Sequence, residues 1–261
     1  MNSTSNVIWL GFVASLVAGL GTSIGALGVF FIRRLSEMME DILLSAAAGI
    51  MLAASFFSLL LPAIAYGEEQ YMSRDLAVSV VIGGLLLGAV ALFTIHRLVP
   101  HEHFFSGREG PDVAAFSRIW LFVIAITLHN FPEGMAVGVG FAGGDIGNGV
   151  SLAAGIGIQN MPEGLAVAVS LMSLGYSRWT AFGVGSLTGL VEPVGGLFGS
   201  IAVSIAAPLM PWTLGFAAGA MLFIISDEII PETHRRGLKG KATFALLGGF
   251  ALMMYLDAAL G

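Results

Sequence analysis

Residues 129–137 read HNFPEGMAV, and residues 159–167 read QNMPEGLAV, so one short motif occurs twice in this chain. Each copy places a proline directly before a glutamate, and each lies inside a long apolar run. Insertion scales put an acid at the centre of a membrane helix at about 2.5–3.5 kcal/mol, and such acids usually face a cavity or the interior of a bundle. The repeat therefore predicts that Glu133 and Glu163 face one shared polar site.

The composition predicts a helical membrane protein with several spans. Of the 261 residues, 56% are hydrophobic and only 11% are charged, whereas soluble domains carry about 25% charged residues. Several apolar runs exceed the roughly 20 residues that cross a bilayer. The chain has no cysteine, which excludes disulfides and thiolate metal sites. No basic cluster is present of the kind that binds nucleic acid.

We predict an all-α fold with eight transmembrane helices that form one transport domain over residues 1–261. The spans are 7–31, 42–65, 76–95, 119–141, 150–174, 179–206, 212–230 and 242–260. Ten of the 11 basic residues follow odd-numbered spans, and an excess of positive charge marks the cytoplasmic loops. Both termini are therefore predicted to lie outside.

Three consecutive predicted spans each carry one glutamate beside a proline. Span six adds Glu192, in the sequence VEP at residues 191–193. A proline lacks the amide hydrogen and clashes with the carbonyl four residues before it, so Pro132 and Pro162 should kink spans four and five. Interrupted helices at mid-membrane recur at the binding sites of transporters. No Lys or Arg lies inside spans four to six to pair with these acids.

The side chains around these glutamates are typical ligands of a divalent metal. The two motifs place imidazole and amide groups on the helical faces of their glutamates: His129, Asn130, Gln159 and Asn160. Imidazole combined with carboxylate favours zinc, iron, manganese, cobalt or cadmium, whereas calcium and magnesium favour oxygen ligands alone. The three carboxylates carry a charge of −3. Either two metals share the site, or a proton occupies one acid when the site is empty.

Two other functions would use the same acids. An intramembrane hydrolase would use the metal to activate water, although the HExxH protease motif is absent from the chain. A proton-conducting membrane protein would use the acids without metal. We expect a transporter rather than an enzyme.

The motifs HNFPEG and QNMPEG resemble the signature of the ZIP (Zrt-, Irt-like protein) metal transporters, and most of all the bacterial branch with the GufA-type members. The resemblance covers essentially the whole chain. It implies uptake of a divalent metal, zinc in the first place, into the cytoplasm across the bacterial cytoplasmic membrane. It also implies a homodimer, in which spans one, four, five and six move against the remaining spans.

The resemblance further implies two adjacent metal positions and an exit route. The first position would take His129, Glu163 and Glu192, with Met51 of span two. The second would take Asn130, Glu133, Asn160, Glu163 and Glu192, with Gln159 close by. Some similar bacterial members carry Asp where this chain has Asn160, and a neutral Asn should hold the second metal more weakly. The implied exit route comprises Asp227, Glu228, Glu232 and His234.

Overall fold

The computed structural model of the chain describes residues 3–32, 36–98, 115–142, 146–205, 207–235 and 239–260. All secondary structure within these ranges is helical, which confirms the predicted fold class. The helices are α1 (Ser3–Ala26), α2 (Glu37–Ala53), α3 (Leu61–Tyr71), α4 (Arg74–Leu98), α5 (Ala115–Ala142), α6 (Ile146–Ser173), α7 (Arg178–Gly189), α8 (Glu192–Ile205), α9 (Met210–Ile224), α10 (Ile230–Arg235) and α11 (Lys239–Leu260).

Within the described ranges, six helical stretches are long and apolar enough to cross a membrane. They are Asn6–Phe30, Asp41–Tyr71, Arg74–Thr94, Arg178–Ser204, Met210–Asp227 and Lys239–Ala259. They coincide with predicted spans one to three and six to eight. Helices α5 and α6, which carry the repeated motif, are 28 residues long each but are not among the six. The total of eight spans, the outside termini and the single domain stay predictions.

Two π-helical segments, Ala54–Leu60 and Ile225–Ile229, lie inside predicted spans two and seven. In each case one residue separates the end of the segment from a proline, Pro62 or Pro231. Because proline supplies no amide hydrogen to the carbonyl four residues before it, the carbonyl of Ser58 needs another donor. Asn148 Nδ2 of α6 donates to it at 3.0 Å. The residue pattern does not predict these π-helical segments, which in proteins often mark functional regions.

Predicted span six is not one helix. Helix α7 ends at Gly189 and α8 begins at Glu192, with tight turns in which the amides of Leu190 and Val194 donate to carbonyls three residues earlier, both at 3.1 Å. Pro193 explains the interruption, since proline is favourable in the first turn of a helix and unfavourable in its interior. In α5 and α6, by contrast, the helix continues through Pro132 and Pro162, and the predicted kinks there stay untested.

Helix α1 packs closely against α5, α6 and α8, and α5 packs against α6 and α8. Glycines allow this approach: a Cβ on Gly134 of α5 would overlap the Glu192 carbonyl of α8, and a Cβ on Gly164 of α6 would overlap the Thr22 carbonyl of α1. Small residues serve this purpose in membrane helices generally. Helices α2 with α11, and α4 with α9, form the other extensive contacts. The close packing of α1, α5, α6 and α8 brings the motif residues together.

Candidate metal centre

The acids and amides of the two motifs, together with Glu192, lie in the protein interior. Helix α5 supplies two of them, α6 supplies three, and α8 supplies one at its first residue. Five of these side chains have no exposed surface and the sixth, Glu163, is 4% exposed. The fully buried ones are Asn130, Glu133, Gln159, Asn160 and Glu192. None of them faces lipid, as the high cost of an acid in the membrane requires.

Hydrogen bonds join the three helices directly through these side chains. Gln159 Nε2 of α6 donates to Glu133 Oε1 of α5 at 2.5 Å. Asn160 Nδ2 of α6 donates to Glu192 Oε1 of α8 at 2.7 Å. The three glutamates are also close enough to repel one another electrostatically. The two copies of the motif therefore meet at one cluster of charge, as their matching contexts predict.

Helix α1 forms a further wall of the cluster, which the sequence analysis did not assign to the site. Asn160 Nδ2 also donates to the backbone carbonyl of Ala18 at 2.9 Å. The position that a Cβ on Gly19 would take lies 3.4 Å from Glu192 Oε1. Asn130 Nδ2 is held in a similar way by the Thr188 carbonyl of α7, at 2.9 Å. Backbone carbonyls leave no signal in the residue types, so only the glycines of α1 could have indicated this wall.

The three amide side chains of the centre use their hydrogen-bonding atoms in the same way. Each amide nitrogen donates a hydrogen bond, and each amide oxygen is left without a partner among the described residues. Glu133 and Glu192 likewise use one carboxylate oxygen and leave the other free. The free oxygens are Asn130 Oδ1, Glu133 Oε2, Gln159 Oε1, Asn160 Oδ1 and Glu192 Oε2. These five buried acceptors without protein donors could bind a cation, because buried polar groups are otherwise satisfied in native proteins.

Among the residues that the structure describes, no buried basic side chain is available to neutralise this charge. The buried polar and charged residues that the structure describes include no Lys or Arg. The described part of the chain contains no group of three or more His, Cys, Asp or Glu side chains that could hold an ion by themselves. An ion at this centre would therefore take amide oxygens together with carboxylates.

The remaining predicted ligands differ in what the structure describes. His129 lies on α5, but its side chain is outside the described residues, as are the side chains of Glu228 and Glu232. Met51 of α2 is buried, at 1% exposure, in the apolar core that also contains Ala18 and Met135. The place of His129 and Met51 in the metal centre therefore stays a prediction.

The predicted exit route lies where the π-helical segment at 225–229 leads into α10. Asp227 is exposed on that segment. His234 is half-buried, with Nδ1 at 3.0 Å from the Ile230 carbonyl and Nε2 at 3.2 Å from Thr243 Oγ1 of α11. Both ring nitrogens of His234 thus have protein partners, so a metal would have to displace one of them. The exit role of this region stays a prediction.

Comparison with known proteins identifies the family. Residues 100–257 match the family model described as ZIP Zinc transporter. The chain is 46% identical over 251 residues to a Myxococcus xanthus protein named Zinc transporter GufA, covering 96% of this chain and 99% of that one. It is 46% identical over 245 residues to Zinc transporter ZIPB of Bordetella bronchiseptica, covering 92% and 78%. Zinc transporter ZIP11 of Homo sapiens is 35% identical, with coverage of 92% and 94%. The chain therefore belongs to the ZIP family, in the branch that its paired motifs indicate.

Proposed function

We propose that this protein is a zinc transporter, which carries the ion from outside into the cytoplasm through the centre between α5, α6 and α8. The single observation that carries the proposal is a set of five buried oxygen atoms that lack hydrogen-bond partners beside three glutamates, with no buried basic residue in the described part of the chain. The names of the relatives, all zinc transporters, support the choice of substrate. Iron, manganese, cobalt and cadmium are further substrates consistent with this ligand chemistry.

The hydrogen bonds of the centre explain how it could hold an ion and still release it. Gln159 and Asn160 orient one oxygen of Glu133 and one of Glu192 through their amide nitrogens. The other carboxylate oxygens stay free for the ion. Residues that make such supporting bonds fix the orientation of the ligands, and their mutation typically lowers metal affinity by about 10- to 100-fold. The ligands come from three separate helices, so a small relative shift of these helices would loosen the site.

The cellular setting follows from the same proposal. The apolar spans make this a multi-pass membrane protein, and we assign it to the bacterial cytoplasmic membrane. The homodimer, and the movement of predicted spans one, four, five and six against the rest, stay predictions. No specific observation favours a hydrolase, since the relatives are named transporters.

Zinc uptake into liposomes that contain the purified protein tests the proposal. We expect Glu163→Ala and His129→Ala to reduce the initial uptake rate at least about ten-fold, because each removes a predicted ligand. Glu69→Ala is the matched control, since Glu69 is an exposed residue of α3 outside both motifs. Uptake at the parent rate by both ligand variants would refute the proposal. Uptake of protons with no metal bound to the purified protein would favour proton conduction instead.

Asn160→Asp should make the stability of the protein depend more strongly on zinc. The change removes the amide nitrogen that donates to Glu192 Oε1 and to the Ala18 carbonyl, and it adds a fourth carboxylate. Without metal we expect a lower unfolding temperature. With zinc we expect a larger increase than in the parent, and a metal content nearer two ions per chain. Thermal unfolding with and without zinc, combined with metal analysis, measures both. If zinc raised the unfolding temperature of the variant and of the parent equally, the prediction that Asn160 weakens the second metal position would be contradicted.

A further inference from the structure

Thr22 of α1 carries a buried hydroxyl that no group of the described residues satisfies. Its side chain has no exposed surface, and Oγ1 has no hydrogen-bond partner among the described residues. An unsatisfied buried polar group costs about 1–3 kcal/mol, so such groups are rare in native proteins. The hydroxyl of Thr22 shares this state with those of Ser45, Ser151 and Ser186, so its position beside the metal centre has to distinguish it.

Serine and threonine in a helix usually satisfy their hydroxyl by donating to the carbonyl four residues earlier. Ser15 of the same helix donates to the Gly11 carbonyl at 2.7 Å, and Ser200 of α8 donates to Gly196 at 2.8 Å. The corresponding carbonyl for Thr22 is that of Ala18, which accepts the Asn160 amide at 2.9 Å instead. The Thr22 hydroxyl is turned away from this carbonyl, toward α7.

Thr22 packs against residues that neighbour two glutamates of the metal centre. Its backbone carbonyl packs against Gly164, the residue after Glu163. Its Oγ1 lies 2.7 Å from the position that a Cβ on Gly189 would take, at the end of α7 just before Glu192. One turn earlier on the same face of α1, Gly19 faces Glu192 Oε1. The hydroxyl thus lies where α1 meets α7, one turn along α1 from the residue that faces Glu192.

We propose that Thr22 is a further binding residue of the metal centre, and that its hydroxyl binds a water molecule carried by the transported cation. This inference rests on the proposed function. The five free oxygens of the centre are acceptors only, whereas a hydroxyl both donates and accepts. Water on a divalent cation has hydrogens to donate, so the Thr22 oxygen accepts one and its own hydrogen remains for a carboxylate. The centre can then hold an ion that has kept part of its hydration shell.

Thr22→Val tests this inference, because valine keeps the shape and removes the hydroxyl. In the liposome assay we expect the KM for zinc to rise about ten-fold with a smaller change in the maximal rate, as for other groups that support a metal from outside its direct ligands. Zinc titration of the purified protein should show the same loss of affinity. Thr22→Ser, which keeps the hydroxyl, should restore values within about two-fold of the parent.

Thr213→Val is the matched control, because Thr213 of α9 is half-buried and already donates to the Leu209 carbonyl at 2.9 Å. Parent values of KM and affinity for Thr22→Val would overturn the inference alone, and so would an equal impairment of Thr22→Ser. A change confined to the maximal rate would indicate a purely structural role and would also overturn it. A parent protein that neither binds nor transports zinc would overturn the proposed function together with this inference.

Discussion

Replacing both Glu133 and Glu192 by glutamine should lower the zinc affinity of the purified protein about 1,000-fold or more, which corresponds to about 4 kcal/mol. Glutamine is nearly isosteric with glutamate, and its oxygen can still accept from Gln159 or Asn160 as each carboxylate does now. The variant therefore removes two negative charges and leaves the hydrogen bonds between the helices in place. Titration calorimetry with zinc measures the loss.

The same variant should not lose stability in the absence of metal. Burying charge without a counter-charge is unfavourable, and these glutamates repel Glu163 as well as each other. We therefore expect a metal-free unfolding temperature equal to or above that of the parent. The matched control is the double change Glu68→Gln with Glu69→Gln, which removes the same charge from an exposed end of α3. If the buried variant unfolded earlier and bound zinc as before, the carboxylates would be structural rather than ligands.

Gly134→Ala should destabilise the protein by about 3 kcal/mol, near the upper end of the usual cost of overpacking. A Cβ at this position would overlap the carbonyl oxygen, the carbonyl carbon and the Cα atom of Glu192. Backbone atoms cannot rotate aside, so α5 and α8 must move apart. Because Gly134 follows Glu133 directly, this movement also separates the two carboxylates. Thermal unfolding and zinc titration should both report the change.

Gly183→Ala is the matched control for that experiment. Gly183 lies in the interior of α7, and a Cβ there would meet nothing within 4 Å. Alanine is also the better helix former, by about 1 kcal/mol in peptides. We expect the control to be as stable as the parent or slightly more so, with unchanged zinc affinity. Equal behaviour of the two variants would mean that α5 and α8 do not pack at Gly134 as described.

The sequence was sufficient to predict the fold class and the meeting of the two motifs. Apolar composition dictates helices in a membrane, and acids such as Glu133 and Glu163 have to share a polar environment when no basic residue is near. The family followed from the same residues, because a proline, an acid and an amide rarely recur together by chance.

Other features could not be predicted because they depend on packing. The contribution of α1 consists of the Ala18 carbonyl, the closeness of Gly19 to Glu192, and the hydroxyl of Thr22. Alanine, glycine and threonine are common packing residues of membrane helices, so their presence in α1 does not indicate a site. The break before Glu192 was missed because a proline in an apolar run predicts a kink as readily as a new helix start. Only the neighbouring helices decide which of the two occurs.

The central claim is that a transported cation occupies the space between the carboxylates of α5, α6 and α8. Anomalous scattering from crystals of the protein grown with zinc or cadmium locates the ion without reference to any activity. We predict a strong peak within bonding distance, about 2.0–2.2 Å for zinc and oxygen, of Glu163 and Glu192. Glu133 or an amide oxygen should complete its ligands. A fully occupied metal position elsewhere in the protein, with no anomalous peak between these helices, would contradict the claim.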